Sequence, residues 1–419
     1  MPPRTTEHPF FRAGWFMVGF TGVLQFFSFG VGYYTFGVFL KPLVEGLQTD
    51  RFSVSLTLSI QMTLMALIGP KVGKLLAEKS LRLLLCTGVL SMSVGLLICS
   101  YATHLWFLYL GFGFFVAIGM VLTSTLPSSM LLANWFVRKR GSAMGISQFG
   151  ITISGTVLVP ITAWIIVNFD WRAAFLTFAI VTPAILLPLI WKFAVRQPED
   201  IGLYPDGDRE PQKYPSDDSE TAPSLRTILR IRDIWLIAFI AGPTFMAIAS
   251  VVLVLPSHAT DLGIGTLEAS SIVAITTLMG AFAKPLLGIL ADHLNKRLVV
   301  CVAIILQIIG VLILLSANSF LSLSIAGAVF GLGYGGMAPL QSVLIAERFG
   351  KRTFAYMMGA MMPLITPFSL IALPMTTLFF ETTGSYLPAF ALLLLGYILS
   401  LICLLGLRLP AKTKDSSLT

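Results

Sequence analysis

Residues 279–297 read MGAFAKPLLGILADHLNKR, an apolar run that holds one lysine, Lys284, and ends in a polar, basic turn. Lys284 is the one charged side chain that the sequence places well inside an apolar segment. A charge at that depth costs roughly 2.5 to 3.5 kcal/mol on membrane-insertion scales, and such residues usually face a cavity or a pathway. The stretch therefore predicts a membrane-spanning helix that carries a functional cation.

Composition extends this prediction to the whole chain. Of its 419 residues, 56% are hydrophobic and only 11% are charged, and the mean hydropathy of +0.86 excludes an ordinary soluble domain. Each membrane span needs about 20 apolar residues. Twelve segments meet this requirement, and they lie at 13–41, 53–76, 82–101, 105–132, 141–168, 171–194, 233–257, 267–291, 298–316, 320–346, 353–380 and 386–408.

The distribution of basic residues predicts the orientation. With the N-terminus inside, the cytoplasmic segments hold 24 of the 28 Lys and Arg residues, and the outer loops hold Lys41, Arg51 and Arg172. An excess of Lys and Arg marks the cytoplasmic side of a membrane, so both termini are predicted to be cytoplasmic. This topology accounts for the net charge of +8, which therefore gives no support to nucleic-acid binding.

The chain is predicted to consist of two related halves. Residues 69–82 (GPKVGKLLAEKSLR) match residues 284–297 (KPLLGILADHLNKR) at an offset of 215, and such repeats are typical of transporters with a central binding site. A polar stretch rich in Asp, Glu and Pro separates the halves. The predicted parts are a cytoplasmic N-terminus at 1–12, six-helix halves at 13–195 and 233–409, a cytoplasmic linker at 196–232 and a cytoplasmic tail at 410–419.

The two turn motifs resemble those of the major facilitator superfamily. GILADHLNKR (288–297) is the better copy, whereas GKLLAEKSLR (73–82) diverges, with its acid displaced to Glu78. The resemblance implies an all-α membrane protein with twelve transmembrane helices in two pseudo-symmetric six-helix halves. It also implies a conformational role for the loop-motif residues, which are Gly73, Glu78, Arg82, Gly288, Asp292, Lys296 and Arg297.

Three further phrases narrow the resemblance. NWFVRKRGSAMG (134–145), RQPEDIGLYPDGD (196–208) and GSYLPAF (384–390) resemble bacterial members of the monocarboxylate transporter family, with oxalate/formate antiporters as near relatives. This similarity implies a multi-pass protein of the bacterial inner membrane, acting as a monomer on a small carboxylate anion together with a proton.

In that family a cation before a proline in span 8 binds the substrate carboxylate, and Lys284 before Pro285 occupies this position. The chain departs from the animal members at Gly280, where they carry an acid, and at Tyr34, where they carry a lysine. Relatives that handle dicarboxylates have a second lysine in span 11, but residues 354–374 contain none. The resemblance therefore implies a monocarboxylate rather than oxalate.

The charges alone favour the same role for Lys284. All 20 Asp and Glu lie in predicted loops or at span ends, so a transported anion is the natural counter-ion. Thr277, Gly280 and Lys284 share a helix face that is predicted to leave room for a ligand, and Pro285 predicts a kink and a free carbonyl beside the cation. Alternatively, Lys284 extends to the cytoplasmic headgroups. Lys71 is the rival cation in the other half.

Hydrogen-bonding side chains on other spans complete the predicted binding site, which contains Tyr334, Tyr34, Tyr33, Thr123, Thr125, Gln148 and Tyr356. Tyr334 matches a binding tyrosine of the family, whereas the family often carries a tyrosine at the position of Thr125. Interhelical packing is an equal alternative for each of these residues. His258 is predicted to be a boundary residue rather than a proton relay.

The predicted mechanism is alternating access by rocking of the two halves. If Lys284 is uncharged in the empty site and gains a proton with the anion, the result is symport; if it stays charged, the result is anion exchange. A neutral-solute or drug exporter and a transport-like sensor remain alternatives. The chain contains no H-E-x-x-H, G-x-S-x-G or Walker pattern and no paired cysteines, so no enzyme activity, cofactor or metal is predicted.

Overall fold

The computed structural model describes residues 14–136, 140–207 and 228–407. Regular structure in these residues is helical throughout, and twelve helical segments are long and apolar enough to span a membrane. We number them in chain order: α1 Trp15–Leu47, α2 Arg51–Gly69, α3 Leu81–Ser100, α4 Leu105–Trp135, α5 Ala143–Asn168, α6 Trp171–Phe193, α7 Arg232–Val252, α8 Thr266–Ala291, α9 Lys296–Ser316, α10 Phe320–Phe349, α11 Pro363–Thr383 and α12 Leu387–Gly406. The predicted all-α fold of twelve transmembrane helices is confirmed.

Several helices extend beyond these spans or are divided within them. The helices of α2, α5 and α8 run over Arg51–Glu78, Arg140–Asn168 and Thr266–His293. Helix α1 is divided into Trp15–Phe29, π-helical Gly30–Tyr34 and Phe36–Leu47, and α4 is divided into Leu105–Leu108, π-helical Tyr109–Val116, Ala117–Thr123 and Thr125–Trp135. A short helix, Leu255–Asp261, follows α7. The helices of α10 and α11 run over Phe320–Gly335 and Met337–Thr383.

The largest boundary differences are in α1 and α11. Helix α1 continues to Leu47 because its last turns pack against the other helices even though Lys41 and Pro42 make them less apolar. The loop predicted between spans 10 and 11 is helical, since helical residues run without interruption from Met337 to Thr383. Helix Thr266–His293 continues through Pro285, as membrane helices often do at prolines, and the kink and free carbonyl beside the cation stay a prediction.

The chain ends and most of the linker lie outside the described residues. The predicted N-terminus at 1–12, the tail at 410–419 and residues 208–227 of the predicted linker belong to these parts. Residues 198–207 form two short 3₁₀ turns, Pro198–Ile201 and Pro205–Gly207. The boundaries of the two halves therefore stay a prediction.

The two halves meet mainly through α5 against α8 and α2 against α11. Polar contacts along the second pair include a hydrogen bond of 2.9 Å between the Ser55 and Thr377 hydroxyls and one of 2.8 Å from Ser59 to the Leu370 carbonyl. The pairs are arranged so that a central space remains between the halves. We call the end that carries Arg51 the outer end, after the orientation predicted from the basic residues.

A network of charged and polar groups joins the halves at the outer end. Arg51 at the start of α2 donates to Asp261 over 2.8 Å and also to the Tyr386 hydroxyl, while its backbone N–H reaches Glu381 over 2.8 Å. Lys41 lies 3.3 Å from the same Asp261 carboxylate. Burial raises the pKa of Asp261, but hydrogen bonding to Arg51 and the charges of Arg51 and Lys41 outweigh this effect and lower it.

His258 is buried beside this network rather than exposed at a membrane boundary. Its ring packs edge-on against Tyr386 and Phe390, with ring centroids 5.8 and 5.6 Å away. Its Nε2 atom has no hydrogen-bonding partner among the described residues. Burial lowers the pKa of His258, and the nearby negative charge of Asp261 opposes this only in part. The neutral imidazole is therefore the form that suits the closed outer end.

At the opposite end, the ion pairs that the described residues form stay within one half. Lys296 pairs with Glu347 and Arg348 with Asp233, all in the second half. Gly288, on α8 at that end, has no neighbouring atom within 4 Å of where a Cβ would lie. By contrast, a Cβ on Gly37 in the outer part of α1 would lie 2.4 Å from the Leu253 carbonyl oxygen. This conformation is closed at the outer end.

We expect Arg51→Gln to open the outer end, because truncating one partner of a largely buried charge pair costs about 2 kcal/mol or more. Distances between spin labels at exposed Glu45 and Glu268, in a chain whose four cysteines are replaced by alanine, should lengthen. Lys74→Gln removes the exposed Lys74–Glu78 pair within one helix and should leave the distances unchanged. Unchanged distances in Arg51→Gln would show that the network does not hold the halves together.

The outer end should also open on acidification. Protonation of His258 requires its exposure to water. Burial of the neutral ring therefore stabilises the closed outer end fully above the ordinary pKa of about 6.5. This stabilisation is lost as the pH falls below that value. The same spin-label distances should therefore lengthen between pH 7.5 and 5.5. His258→Phe preserves the ring packing and should abolish this response, because a phenyl ring cannot be protonated and the pKa of the neighbouring Asp261 is lowered by its pairing with Arg51. A response that persists in His258→Phe would assign it to another group.

Candidate functional site

A cavity of about 300 Å³ lies between the two halves near the middle of the bundle. Helices from both halves supply its wall, so its shape depends on their relative position. Its lining comprises Phe29, Tyr33 and Tyr34 from α1; Gln61, Met62 and Met65 from α2; Met120 from α4; Gln148, Ile151 and Thr152 from α5; Phe245 and Ile248 from α7; Lys284 from α8; Tyr334, Gly335 and Ala338 from α10; and Ser369 from α11.

Lys284 is held in this cavity by uncharged oxygen atoms of the other half. Its ammonium group donates to the Thr152 hydroxyl and lies 3.4 Å from the backbone carbonyl oxygen of Gln148. None of the ion pairs formed among the described residues includes Lys284. The side chain therefore does not extend to the end of the bundle, and its charge has no acidic partner in the described part of the chain.

Two tyrosines from opposite halves face each other in the same cavity. The hydroxyl groups of Tyr34 and Tyr334 lie close together, but the Tyr334 hydroxyl makes no well-aligned hydrogen bond with the described residues. Tyr33 packs edge-on against Tyr34, with ring centroids 5.6 Å apart. The π-helical turn Gly30–Tyr34 places both of these tyrosines on the cavity wall. Such turns are frequent at functional sites, and hydroxyl donors beside an ammonium suit a carboxylate.

The predicted open face of α8 is closed except at Lys284, so that prediction was wrong. Thr277 hydrogen-bonds Thr156 of α5 over 2.9 Å and is fully buried. A Cβ on Gly280 would lie 2.7 Å from the Tyr334 ring. Tyr334 thus occupies the space that a side chain at position 280 would need. The absence of an acid at this position is a steric requirement of the packing between α8 and α10.

The structure brings five of the predicted binding residues to the cavity, namely Lys284, Tyr334, Tyr34, Tyr33 and Gln148. Thr123 instead hydrogen-bonds Ser28 over 2.6 Å in the bundle interior, and Thr125 follows a break in α4 at Ser124. Neither appears in the cavity lining, and their role as binding residues stays a prediction beside the alternative of helix packing. The side chain of Tyr356 lies outside the described residues.

Sequence reasoning missed Thr152 and the apolar part of the wall. Thr152 follows Gln148 by one helical turn, so the shared face of α5 was the signal that could have revealed it. The apolar lining residues, among them Phe29, Met65 and Phe245, gave no signal because every span of this chain is apolar. Lys71, the rival cation, is exposed and does not line the cavity.

The loop-motif arginines have equivalent contacts in the two halves. Arg82 donates to the carbonyl of Ala194 just after α6, over 2.9 Å, and Arg297 donates to the carbonyl of Leu407 just after α12. Each arginine therefore hydrogen-bonds a carbonyl group at the C-terminus of a helix, where a positive charge is favourable. Among the other motif residues, Lys296 pairs with Glu347, Glu78 lies 3.8 Å from Lys74, and Gly73 and Gly288 have free space around them. The Asp292 side chain lies outside the described residues.

A cation-bearing cavity between two groups of membrane helices, closed at one end by contacts between those groups, defines a membrane transport protein. The profile of the Major Facilitator Superfamily matches residues 22–258 and 235–419. The chain belongs to this superfamily. It is a multi-pass integral membrane protein and a transporter rather than an enzyme.

Similar proteins include several monocarboxylate transporters. The chain is 22% identical to Monocarboxylate transporter 2 of Homo sapiens, over 92% of this chain and 84% of the relative. It is 27% identical to Monocarboxylate transporter 13 of Rattus norvegicus, over 92% of this chain and 86% of the relative. The chain is thus related to monocarboxylate transporters along nearly its whole length.

Solved structures share the fold at lower identity. A bacterial homolog of the human lysosomal transporter Spinster, inward-facing and unoccupied, superposes with a TM-score of 0.72 at 13% identity, over 96% of this chain and 95% of that one. A POT family transporter in complex with 5-aminolevulinic acid gives a TM-score of 0.71 at 15% identity, over 94% and 95% of the two chains.

Removing the buried charge should stabilise the empty protein. Lys284→Met keeps a side chain of similar length, and replacing an unpaired charge by an apolar group recovers about 2 kcal/mol. We expect the thermal unfolding temperature of the purified protein to rise by a few degrees. Lys71→Met at an exposed site is the matched control and should cause no rise. A lower unfolding temperature for Lys284→Met would mean that the ammonium contributes to stability in the empty state.

Proposed function

We propose that the protein is a secondary transporter that moves a monocarboxylate across the membrane by alternating access, in symport with a proton. The observation that carries this proposal is the unpaired ammonium of Lys284 in a cavity between the halves. A carboxylate entering the cavity would supply the missing negative charge. The relationship to monocarboxylate transporters supports the same substrate class.

The charge count limits the substrate to one carboxylate. Among the described residues, Lys284 is the single Lys or Arg in the cavity lining, so a second carboxylate would lie beside these residues without a cation. Tyr34 and Tyr334 line the same cavity, and in this proposal their hydroxyl groups donate hydrogen bonds to the bound carboxylate. Charge-assisted hydrogen bonds of this kind are about twice as strong as neutral ones. A monoanion therefore fits the lining better than a dianion does.

Coupling to a proton follows from the cost of moving an unpaired charge. The empty carrier reorients readily if Lys284 has released its proton, because no net charge then moves through the apolar bundle. A proton and an anion arriving together restore a neutral pair. If Lys284 instead stays charged, only the loaded carrier reorients easily, and the protein exchanges anions.

The bond between Lys284 and Thr152 links substrate binding to the rocking of the halves. It connects α8 to α5 across the cavity, and an arriving carboxylate competes for the same ammonium. Binding of the anion would therefore weaken one of the contacts that hold this conformation. In the proposed orientation both termini are cytoplasmic, the membrane is the bacterial inner membrane, and the monomer is the working unit.

Transport of labelled propionate and 3-phenylpropionate into proteoliposomes, recorded together with internal pH, tests this function. The wild type should accumulate label with one proton per anion under an inward proton gradient. Lys284→Gln should reduce the uptake rate at least a hundredfold, as expected when a central charge-assisted contact is lost. Lys71→Gln should retain the uptake rate of the wild type. Uptake that needs internal anion and moves no protons would establish exchange. Full activity in Lys284→Gln would contradict the assigned site.

A further inference from the structure

The cavity is larger than a two- or three-carbon acid requires. Its volume of about 300 Å³ equals that of roughly ten water molecules at about 30 Å³ each. Counted at one water volume per non-hydrogen atom, a three-carbon acid would fill roughly half of this space and leave the remainder to water in contact with apolar side chains. A ligand of roughly eight to ten non-hydrogen atoms would fill it.

The groups that hold the Lys284 ammonium and the methionine side chains of the cavity lie on different helices. Lys284, Thr152 and Gln148 form one polar cluster between α8 and α5. The wall on α2 and α4 is formed by the thioether side chains of Met62, Met65 and Met120. The amide of Gln61, which also lines this wall, is engaged with the Gly32 carbonyl over 3.0 Å and with the Met120 sulfur. Its N–H groups are therefore not available to bind a second carboxylate.

Methionine side chains favour a particular kind of ligand body. They are flexible, adapt to irregular apolar shapes and make favourable contacts with aromatic rings. Phe29 and Phe245 add aromatic surface to the same cavity. Such a wall gives no hydrogen bonds to the hydroxyl or keto group that small metabolic acids carry next to the carboxylate. It favours a ligand whose far end is hydrocarbon.

We propose that the substrate is an amphipathic monocarboxylate whose carboxylate binds Lys284 and whose aliphatic or aromatic body, about six to nine carbons in all, packs against the methionine wall. This inference rests on the proposed function and specifies the substrate class of the same site. It adds the consequence that the affinity rises with the length of the apolar body.

Binding of a homologous series tests the proposal. The probes are propionate, butyrate, hexanoate, octanoate and 3-phenylpropionate, titrated calorimetrically into the full chain in lipid nanodiscs, with protein-free nanodiscs as the baseline for partition into lipid. Each methylene buried should tighten binding about three- to fourfold, so octanoate should bind at least a hundredfold more tightly than propionate. Equal affinities for all straight-chain acids would overturn the proposal and leave the proposed function intact.

The matching primary amides separate the two claims. Octanamide has the same body without the charge and should bind at least a hundredfold more weakly than octanoate. If octanamide and octanoate bind equally, or if Lys284→Gln leaves the affinity for octanoate unchanged, the methionine wall binds the apolar body but Lys284 does not bind the carboxylate. That result would overturn the proposed function and this inference together.

Two cavity variants test the position of the body. Ala338→Leu adds volume inside the cavity and should weaken octanoate binding at least tenfold more than it weakens propionate binding. Met65→Ala removes part of the methionine wall and should reduce the gain in binding affinity per methylene. Leu67→Ala, at a 69% exposed position two residues away, is the matched control and should leave the rise of affinity with chain length unchanged. Equal effects of Ala338→Leu on both acids, in protein of unchanged thermal stability, would show that the body does not occupy this space.

Discussion

One cation in the interior of the bundle joins the two halves and has no acidic partner among the described residues. Lys284 is held by a threonine hydroxyl and a backbone carbonyl from the opposite half, and neutral oxygens cannot balance a full charge at low dielectric. The two hydrogen bonds allow the ammonium group to be held in the bundle, while its charge stays unbalanced and attracts an anion. The contact that positions the ammonium is also a contact between the halves, so ligand binding and conformation share one interaction.

Packing around the cation leaves no room for a larger side chain at two glycine positions. Tyr334 lies against Gly280, and a Cβ on Gly335 would lie 2.1 Å from the Gly280 carbonyl oxygen. The close approach of α8 and α10 therefore depends on both glycines. It brings the Tyr334 hydroxyl toward Tyr34 of the other half, which gives the cavity its polar donors without a second charge.

The contacts that hold each half together differ from those that hold the halves to each other. Arg82 and Arg297 cap helix ends within their own halves, so these contacts can persist while the halves rock. Arg51 and Asp261 join different halves at the outer end, and they must separate for the cavity to open there. Rocking therefore requires the loss of a few polar contacts rather than the unpacking of a core, in keeping with rigid-body alternating access.

The sequence by itself determined the class of fold and the central residue. Twelve apolar segments, one internal repeat and one charge inside a span were enough, because the cost of burying polar groups in lipid leaves few alternatives. Only the tertiary structure decided which hydroxyls line the cavity. Thr123 and Thr125 carry the same chemistry as Thr152, but helix packing turns only Thr152 toward Lys284. The methionine wall was equally hidden, since apolar side chains in an apolar chain show their role only once the helices are packed.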